Sequence, residues 1–406
     1  MPIPFLVALA LAASTACHSA RAQTPGPDDA PSLPPNVAVS LGGKVHADAR
    51  AFPGGPLGDA PGFLLRRARF EVEIEVDGRF RAVVEPGLGE GDVELVDGYA
   101  EADVWSGPSL LALRVGRFKT PVGYESLRSS SDLRFAERAL PTALSPRRDL
   151  GAMLAWAGDH IEAQAGLFNG VPDGASRSAD WGSGPDAAAR VFVRPGGRFG
   201  GLGIGLGAAL GTERGTAGAP GLDDYETSGD RPVFAYLPTV HADGARLRLA
   251  PQATLGVGRL SLLGEWTMAQ HRLASPRASS GGPSSFESQS VTVRHQAWQL
   301  AASAVLIGRP QGGDRPVPHR SWSEGGPGAV EVSVRVHRLA MDGDAAPLAA
   351  PGSARRATAF GVALHWAPVA PARLGVTAER TAFAAFGLDD APPPETFVAL
   401  RAQLDF

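Results

Sequence analysis

The stretch Arg67-Ala68-Arg69-Phe70-Glu71-Val72-Glu73-Ile74-Glu75-Val76 decides the fold. Arg67, Arg69, Glu71, Glu73 and Glu75 alternate with Ala68, Phe70, Val72, Ile74 and Val76, so an extended chain gathers the charges on one face and the apolar groups on the other. Asp77-Gly78 then supplies a tight turn into a following strand from Arg79. The same period of two returns at Arg190 to Arg194, Arg246 to Leu249, Val330 to His337 and Phe397 to Phe406. Sixteen or seventeen such segments follow one another, among them ones near Gly201, Val233 and Ala245, divided by Gly, Pro, Asp and Ser clusters. No stretch keeps a 3.6-residue period over three turns.

Composition narrows what these strands build. With 44% hydrophobic and 20% charged residues the chain of 406 is not a disordered one, and a net charge of -4 excludes a basic field for nucleic acid. Past the first 25 residues no apolar run approaches the roughly 20 residues of a membrane-spanning helix. A mean hydropathy near zero suits a soluble protein, but it equally suits a barrel whose strands turn only alternate residues to lipid. Sandwich strands average about 5 to 6 residues. Segments of ten or more with one apolar face, and little helix to cover it, fit the roughly 9 to 11 residues of a tilted membrane strand. The expected fold is all-β, a transmembrane antiparallel β-barrel of about 16 strands spanning 36–406.

Residues 1–22 read as an export signal: apolar Phe5 to Ala13 leads to Ala20-Arg21-Ala22, a small-residue cleavage site. Ser14-Thr15-Ala16-Cys17 also admits a lipoprotein reading. A Pro-rich linker, 23–35, follows. Cys17 is the only cysteine, so the exported chain has no thiol catalysis and no cysteine-based metal site.

The block from about Leu64 to Gly170 resembles the phosphate-selective porin O and P family. The likeness is carried by Arg66 to Phe70, Leu95-Val96-Asp97-Gly98-Tyr99, Val115-Gly116-Arg117-Phe118-Lys119-Thr120-Pro121-Val122-Gly123-Tyr124-Glu125, Phe135 to Leu140 and Pro146 to Gly151. Ala297 to Leu300 and Gly328 to Val332 are similar to the family's late strands, more weakly. The resemblance implies a 16-stranded barrel of a Gram-negative outer membrane, a homotrimer, in which 121–146 is a long loop that folds inward and narrows the pore. Terminal Phe406 resembles the signal read by the barrel-assembly machinery. The length and mixed charge of 121–146 (Glu125, Arg128, Asp132, Arg134, Glu137, Arg138) independently suggest a hydrogen-bonded loop braced against the wall.

Guanidinium groups can replace the hydration shell of phosphate with bidentate hydrogen bonds. Parity puts Arg67, Arg69, Arg114, Arg147, Arg190, Arg194, Arg246, Arg248, Arg335 and Arg401 on polar faces. With Lys119 and loop residues Arg128, Arg134 and Arg138, the first six are the expected anion path; the competing reading pairs them with wall carboxylates. Of 38 basic residues only Lys44 and Lys119 are lysine, so the resemblance supports a porin more firmly than phosphate selectivity. The expected partners are small anions such as phosphate and the lipid of the outer membrane, with no nucleic acid and no cofactor. A general non-selective porin and an adhesive or structural barrel are the alternatives. An enzyme is not expected, because the nine histidines show no metal or triad spacing, although His271, His295 and His337 fall on strands that could be neighbours. Gly200 to Gly207 reads as a strand with a small lumenal face rather than a nucleotide loop.

Overall fold

A computed structural model of the chain describes residues 36–54, 61–89, 92–177, 184–197, 200–216, 218–278, 286–311, 314–387 and 391–406. The sequence-read signal (1–22) and linker (23–35) lie outside them. The strands are β1 (Val37–Ala51), β2 (Gly62–Val76), β3 (Phe80–Gly89), β4 (Asp92–Ser106), β5 (Leu110–Lys119), β6 (Arg148–Ala157), β7 (Ile161–Phe168), β8 (Asp186–Val193), β9 (Leu202–Arg214), β10 (Tyr225–Glu226), β11 (Pro232–Phe234), β12 (His241–Val257), β13 (Leu260–Ala278), β14 (Phe286–Ile307), β15 (Arg309–Gln311), β16 (Asp314–Val317), β17 (Ala329–Ala340), β18 (Arg356–Val369), β19 (Ala372–Ala384) and β20 (Glu395–Asp405).

Sixteen of them close an antiparallel barrel in the order β1 to β9, β12, β13, β14, β17 to β20. Closure pairs the two ends of the chain: Val45 lies opposite Leu404 and Ala51 opposite Val398. The barrel therefore leaves no unpaired sheet edge in the lipid zone. One end is made mostly of short turns, such as 77–79, 107–109, 158–160, 258–259 and 370–371, with one long connection, 308–328, that holds β15 and β16; the other end carries the longer connections 120–147, 169–185, 215–240 and 341–355. Among the described residues no helix is long and apolar enough to cross a membrane.

The alternation seen in the sequence sorts the wall as expected. Phe70, Ile74, Leu206, Leu300, Val334, Val362, Leu400 and Leu404 are exposed on the outside, whereas Arg190, Arg248, Glu265, His295, Arg335 and Glu379 are buried on the inside. Gly203, Gly205 and Gly207 take the inner face of β9 while Ile204 and Leu206 face out, so the glycine-rich run is a strand with an emptied lumenal face.

The segment near Val233 departs from this pattern. It lies in no barrel strand: β11 pairs only with β10, inside connection 215–240. Tyr225, Val233 and Phe234 are buried with Leu140 and Leu144 against wall residues Ala269, Leu273, Val293, Ala297 and Leu339. Alternation near Val233 reflects burial on a loop that enters the barrel, and the sixteen remaining segments are the sixteen barrel strands.

Candidate functional site

Connection 120–147 enters the lumen directly from β5. Its neck is closed by the Thr120 amide donating to the Arg147 carbonyl, 2.8 Å. The neck passes over Gly207, where an added Cβ would stand 3.1 Å from Val122 Cα and 3.2 Å from the Pro121 oxygen. A bare lumenal face on β9 is thus what lets the loop turn inward.

From there the loop is bonded to the far wall. The Tyr124 amide donates to Glu265 on β13, 2.6 Å, and Ser131 Oγ to Asp405 on β20, 2.7 Å. Arg134 donates to Glu331 on β17, 3.2 Å, and to Ser261 on β13, 2.8 Å. Arg373 of β19 donates to the Leu133 carbonyl, 2.8 Å, and Arg335 of β17 to the Glu137 carbonyl, 2.9 Å. The Glu137 carboxylate is the principal anchor: it accepts from Arg50 of β1, 2.7 Å, from Arg66 of β2, 2.7 and 3.1 Å, and from Arg401 of β20, 3.2 Å. Burial alone would raise the pKa of this group, but Arg66, Arg67 and Arg401 hold its carboxyl well below the usual carboxylate range.

The expected anion-path residues divide into groups. Arg114 is held by Glu101, 2.6 Å, and its guanidinium lies 4.2 Å from the Tyr99 ring centre. Arg194 pairs with Glu162, and Arg190 lies 3.7 Å from the same carboxylate; both stack on Phe192 at 4.8 Å. Arg69 lies 3.7 Å from Glu85 and Arg67 3.6 Å from Glu137. Lys119, at the end of its strand, turns its Nζ onto the loop carbonyls of Leu127 and Arg128, 2.9 and 2.7 Å. Arg138 donates to the carbonyls of Glu125 and Arg128, and Arg128 lies beside Tyr124. Most of these groups are thus engaged by wall carboxylates, and Lys119 and Arg138 by loop carbonyls.

Arg147 differs from the rest. It is exposed and has no ion-pair partner among the described residues. It lines a cavity of about 640 Å³ on the loop-end side of the inward loop. Arg66, Arg67 and Arg138 share that wall, and Asp223, Asp224, Glu226 and Asp230 of connection 215–240 line the other. Burial, with Arg147 and Arg148 nearby, pushes the Arg138 guanidinium down to about 10. On the turn-end side of the loop lies a second cavity of about 290 Å³, bordered by Arg134, Arg194, Arg259 and Glu331.

Connection 215–240 was not legible as part of the site, although Tyr225, Phe234 and Tyr236 in one Gly- and Pro-rich connection are a signal for it. It hangs from Asp173, which accepts from Arg248 at 2.7 Å and Tyr225 at 3.0 Å and lies 2.7 Å from His271 Nε2. Arg246 and Arg248 converge on Asp186 beside it. His271, His295 and His337 do lie on the neighbouring strands β13, β14 and β17. Each is a strut. His337 Nδ1 accepts the Leu140 amide, 3.1 Å, which leaves Nε2 carrying the hydrogen toward Glu379 at 3.0 Å. His295 is fixed the same way between the Asp342 amide and Tyr236. Among the described residues no group of His, Cys, Asp and Glu is arranged to hold a metal ion.

The family model for phosphate-selective porin O and P matches residues 39–216. No curated protein matches the chain. Among solved structures, the outer membrane channel DcaP of Acinetobacter baumannii is 13% identical, covering 91% of this chain and 98% of its own, with a TM-score of 0.60. An anion-selective porin from Comamonas acidovorans is 14% identical over 91% of this chain and 100% of its own, TM-score 0.56. OmpT of Vibrio cholerae, in its trimer form, is 10% identical over 91% and 99%, TM-score 0.51. Family and fold point to a channel rather than an enzyme. The family likeness is thus confined to residues 39–216, and the described barrel as a whole has the sixteen-stranded fold of the outer-membrane porins it is similar to.

Proposed function

We propose that this barrel is a passive outer-membrane channel for small anions, phosphate among them, entered from the loop end and sorted by the arginine wall above the inward loop. The observation that carries the reading is Arg147, an exposed residue with no ion-pair partner among the described residues, beside Arg66, Arg67 and Arg138 on a cavity of about 640 Å³. A guanidinium that keeps its hydrogen-bonding capacity can exchange it for the hydration of a passing anion. Arg67, Arg138 and Arg147 are therefore the leading anion contacts. Arg69, Arg114, Lys119, Arg128, Arg134, Arg190 and Arg194 serve the path chiefly by holding its walls.

The match to a phosphate-selective family and the likeness to an anion-selective porin support this reading, and the trimeric OmpT supports a homotrimer. Export by the 1–22 signal, a linker over 23–35, a barrel over 36–406 and assembly through Phe406 complete it. The test is the reversal potential of the purified protein in a planar bilayer under a KCl gradient, followed by phosphate titration of the current. Anion preference is expected, lowered in Arg147→Gln; cation preference in the wild type sinks the proposal.

A further inference from the structure

The outer wall carries a second set of arginines. On β14 the outward residues Leu306, Ala304, Ala302, Leu300 and Trp298 are apolar, and Arg294 follows toward the loop end. On β17, Val330, Val332, Val334 and Val336 lead to Arg338; on β18, Trp366, Leu364, Val362 and Phe360 lead to Thr358 and Arg356; on β19, Leu374, Val376 and Ala378 lead to Arg380. On β13, Trp266 is followed outward by Gln270 and Arg272. Register brings these together, for Gln270 lies opposite Arg294, Trp298 opposite Arg338, Arg338 opposite Thr358 and Phe360 opposite Arg380. Five adjacent strands thus end their apolar band in arginine, at the same end.

Their partners set them apart from the lumenal arginines. Arg272 donates to Ser290 at 2.7 Å, Arg294 to Gln270 at 2.9 Å, Arg338 to Thr358 at 3.0 Å, and Arg380 to Thr396. Arg338 also lies 5.6 Å from the Trp298 ring centre. Asp342 stands at this border, and it accepts the Arg294 backbone amide rather than a guanidinium. None of the five has a carboxylate partner among the described residues. Lumenal arginines such as Arg248, Arg335 and Arg401 are all paired with acids. A neutral partner fixes the direction of a guanidinium without discharging it, so the belt presents uncompensated cations where the lipid headgroups begin.

We propose that β13, β14, β17, β18 and β19 form a binding site for the phosphorylated headgroup of a glycolipid in the leaflet at the loop end. Phosphate is the complement of several converging guanidiniums, and the apolar band directly below Trp266 and Trp298 receives the acyl chains of the same molecule. The proposal rests on the outer-membrane placement of the barrel and not on what the pore passes.

The test is native mass spectrometry of the full-length barrel in detergent with a diphosphorylated lipid A, against phosphatidylethanolamine. The wild type retains the glycolipid and not phosphatidylethanolamine, and retention falls about tenfold or more in R294Q/R338Q/R380Q. Raising the salt to about 0.5 M weakens retention by the wild type itself, a reading independent of how the variant folds. Inorganic phosphate leaves the bound lipid in place. Equal retention by the triple variant, equal retention of phosphatidylethanolamine, insensitivity to salt, or displacement by inorganic phosphate each overturns the site. Bilayer conductance of the triple variant stays at the wild-type value, so a failure of the channel reading would show separately, as absent or cation-selective currents.

Discussion

Replacing Glu137 with alanine tests whether the inward loop is held by charge. Its carboxylate receives Arg50, Arg66 and Arg401 at 2.7 to 3.2 Å and is nearly sealed from solvent, with 9% of the side chain exposed. Breaking a buried ion pair from one side costs about 3 to 5 kcal/mol, because the charge left behind is uncompensated. Arg401 keeps both oxygens of Asp48, and Arg50 keeps Asp48 and Asp230, which favours the lower figure. About 3 kcal/mol raises the population of the released loop roughly 100-fold. Trypsin cleavage after Arg128, Arg134 or Arg138 follows that population when opening is fast relative to cutting. The variant in detergent should therefore be cut about 100-fold faster than the wild type, with noisier and more anion-selective bilayer currents from the released guanidiniums. Cleavage within about threefold of the wild type would refute the reasoning. Because the Glu137 carboxyl is held low, its contribution is complete above the ordinary carboxylate range and disappears only as pH falls through the depressed value. Trypsin-resistant protein recovered after a pulse at about pH 4 is the expected result.

Two further substitutions, with one control, probe the other supports. Gly207→Val places a branched side chain against Val122 Cα and the Pro121 oxygen, both backbone, and should cost about 1 to 3 kcal/mol of loop seating, seen as altered conductance; Gly62→Ala, in open space, should be silent. Asp173→Asn leaves Arg248 and His271 without their shared carboxylate and should speed cleavage after Arg231 by about 100-fold, whereas an unchanged rate would mean that connection 215–240 is held by its apolar contacts alone.

The barrel was legible because a strand in a two-sided environment must alternate. Arg67 to Val76 and Phe397 to Phe406 state their faces residue by residue, and no other period competes with them. The loop over 121–146 was legible for a related reason, since a mixed-charge stretch that breaks a regular meander has to place its charges somewhere. Connection 215–240 escaped because strand-like alternation at Val233 arises equally from a ribbon packed on a loop, and period alone does not tell a wall from a plug.

Parity also fixed the direction of wall arginines such as Arg67, Arg190, Arg248, Arg335 and Arg401, whereas Arg147, read as a strand residue, lies just ahead of β6 in the inward connection, and lumenal Arg50 and Arg373 were not singled out; direction is a local property and charge compensation is not. Whether a guanidinium is a brace or a contact for a passing ion depends on carboxylates far away in the chain: Glu137 for Arg50 and Arg401, Asp173 for Arg248, Glu331 for Arg134. Those pairs exist only once the sheet has closed and the loops have turned inward, and by taking up most of the cations they leave Arg147 exposed on the cavity. Sequence by itself therefore determined the barrel and the faces of its strands, through the two-residue period of an extended chain. Tertiary structure decided which charges remain available, because electrostatic pairing acts between residues that only closure brings within a few ångströms.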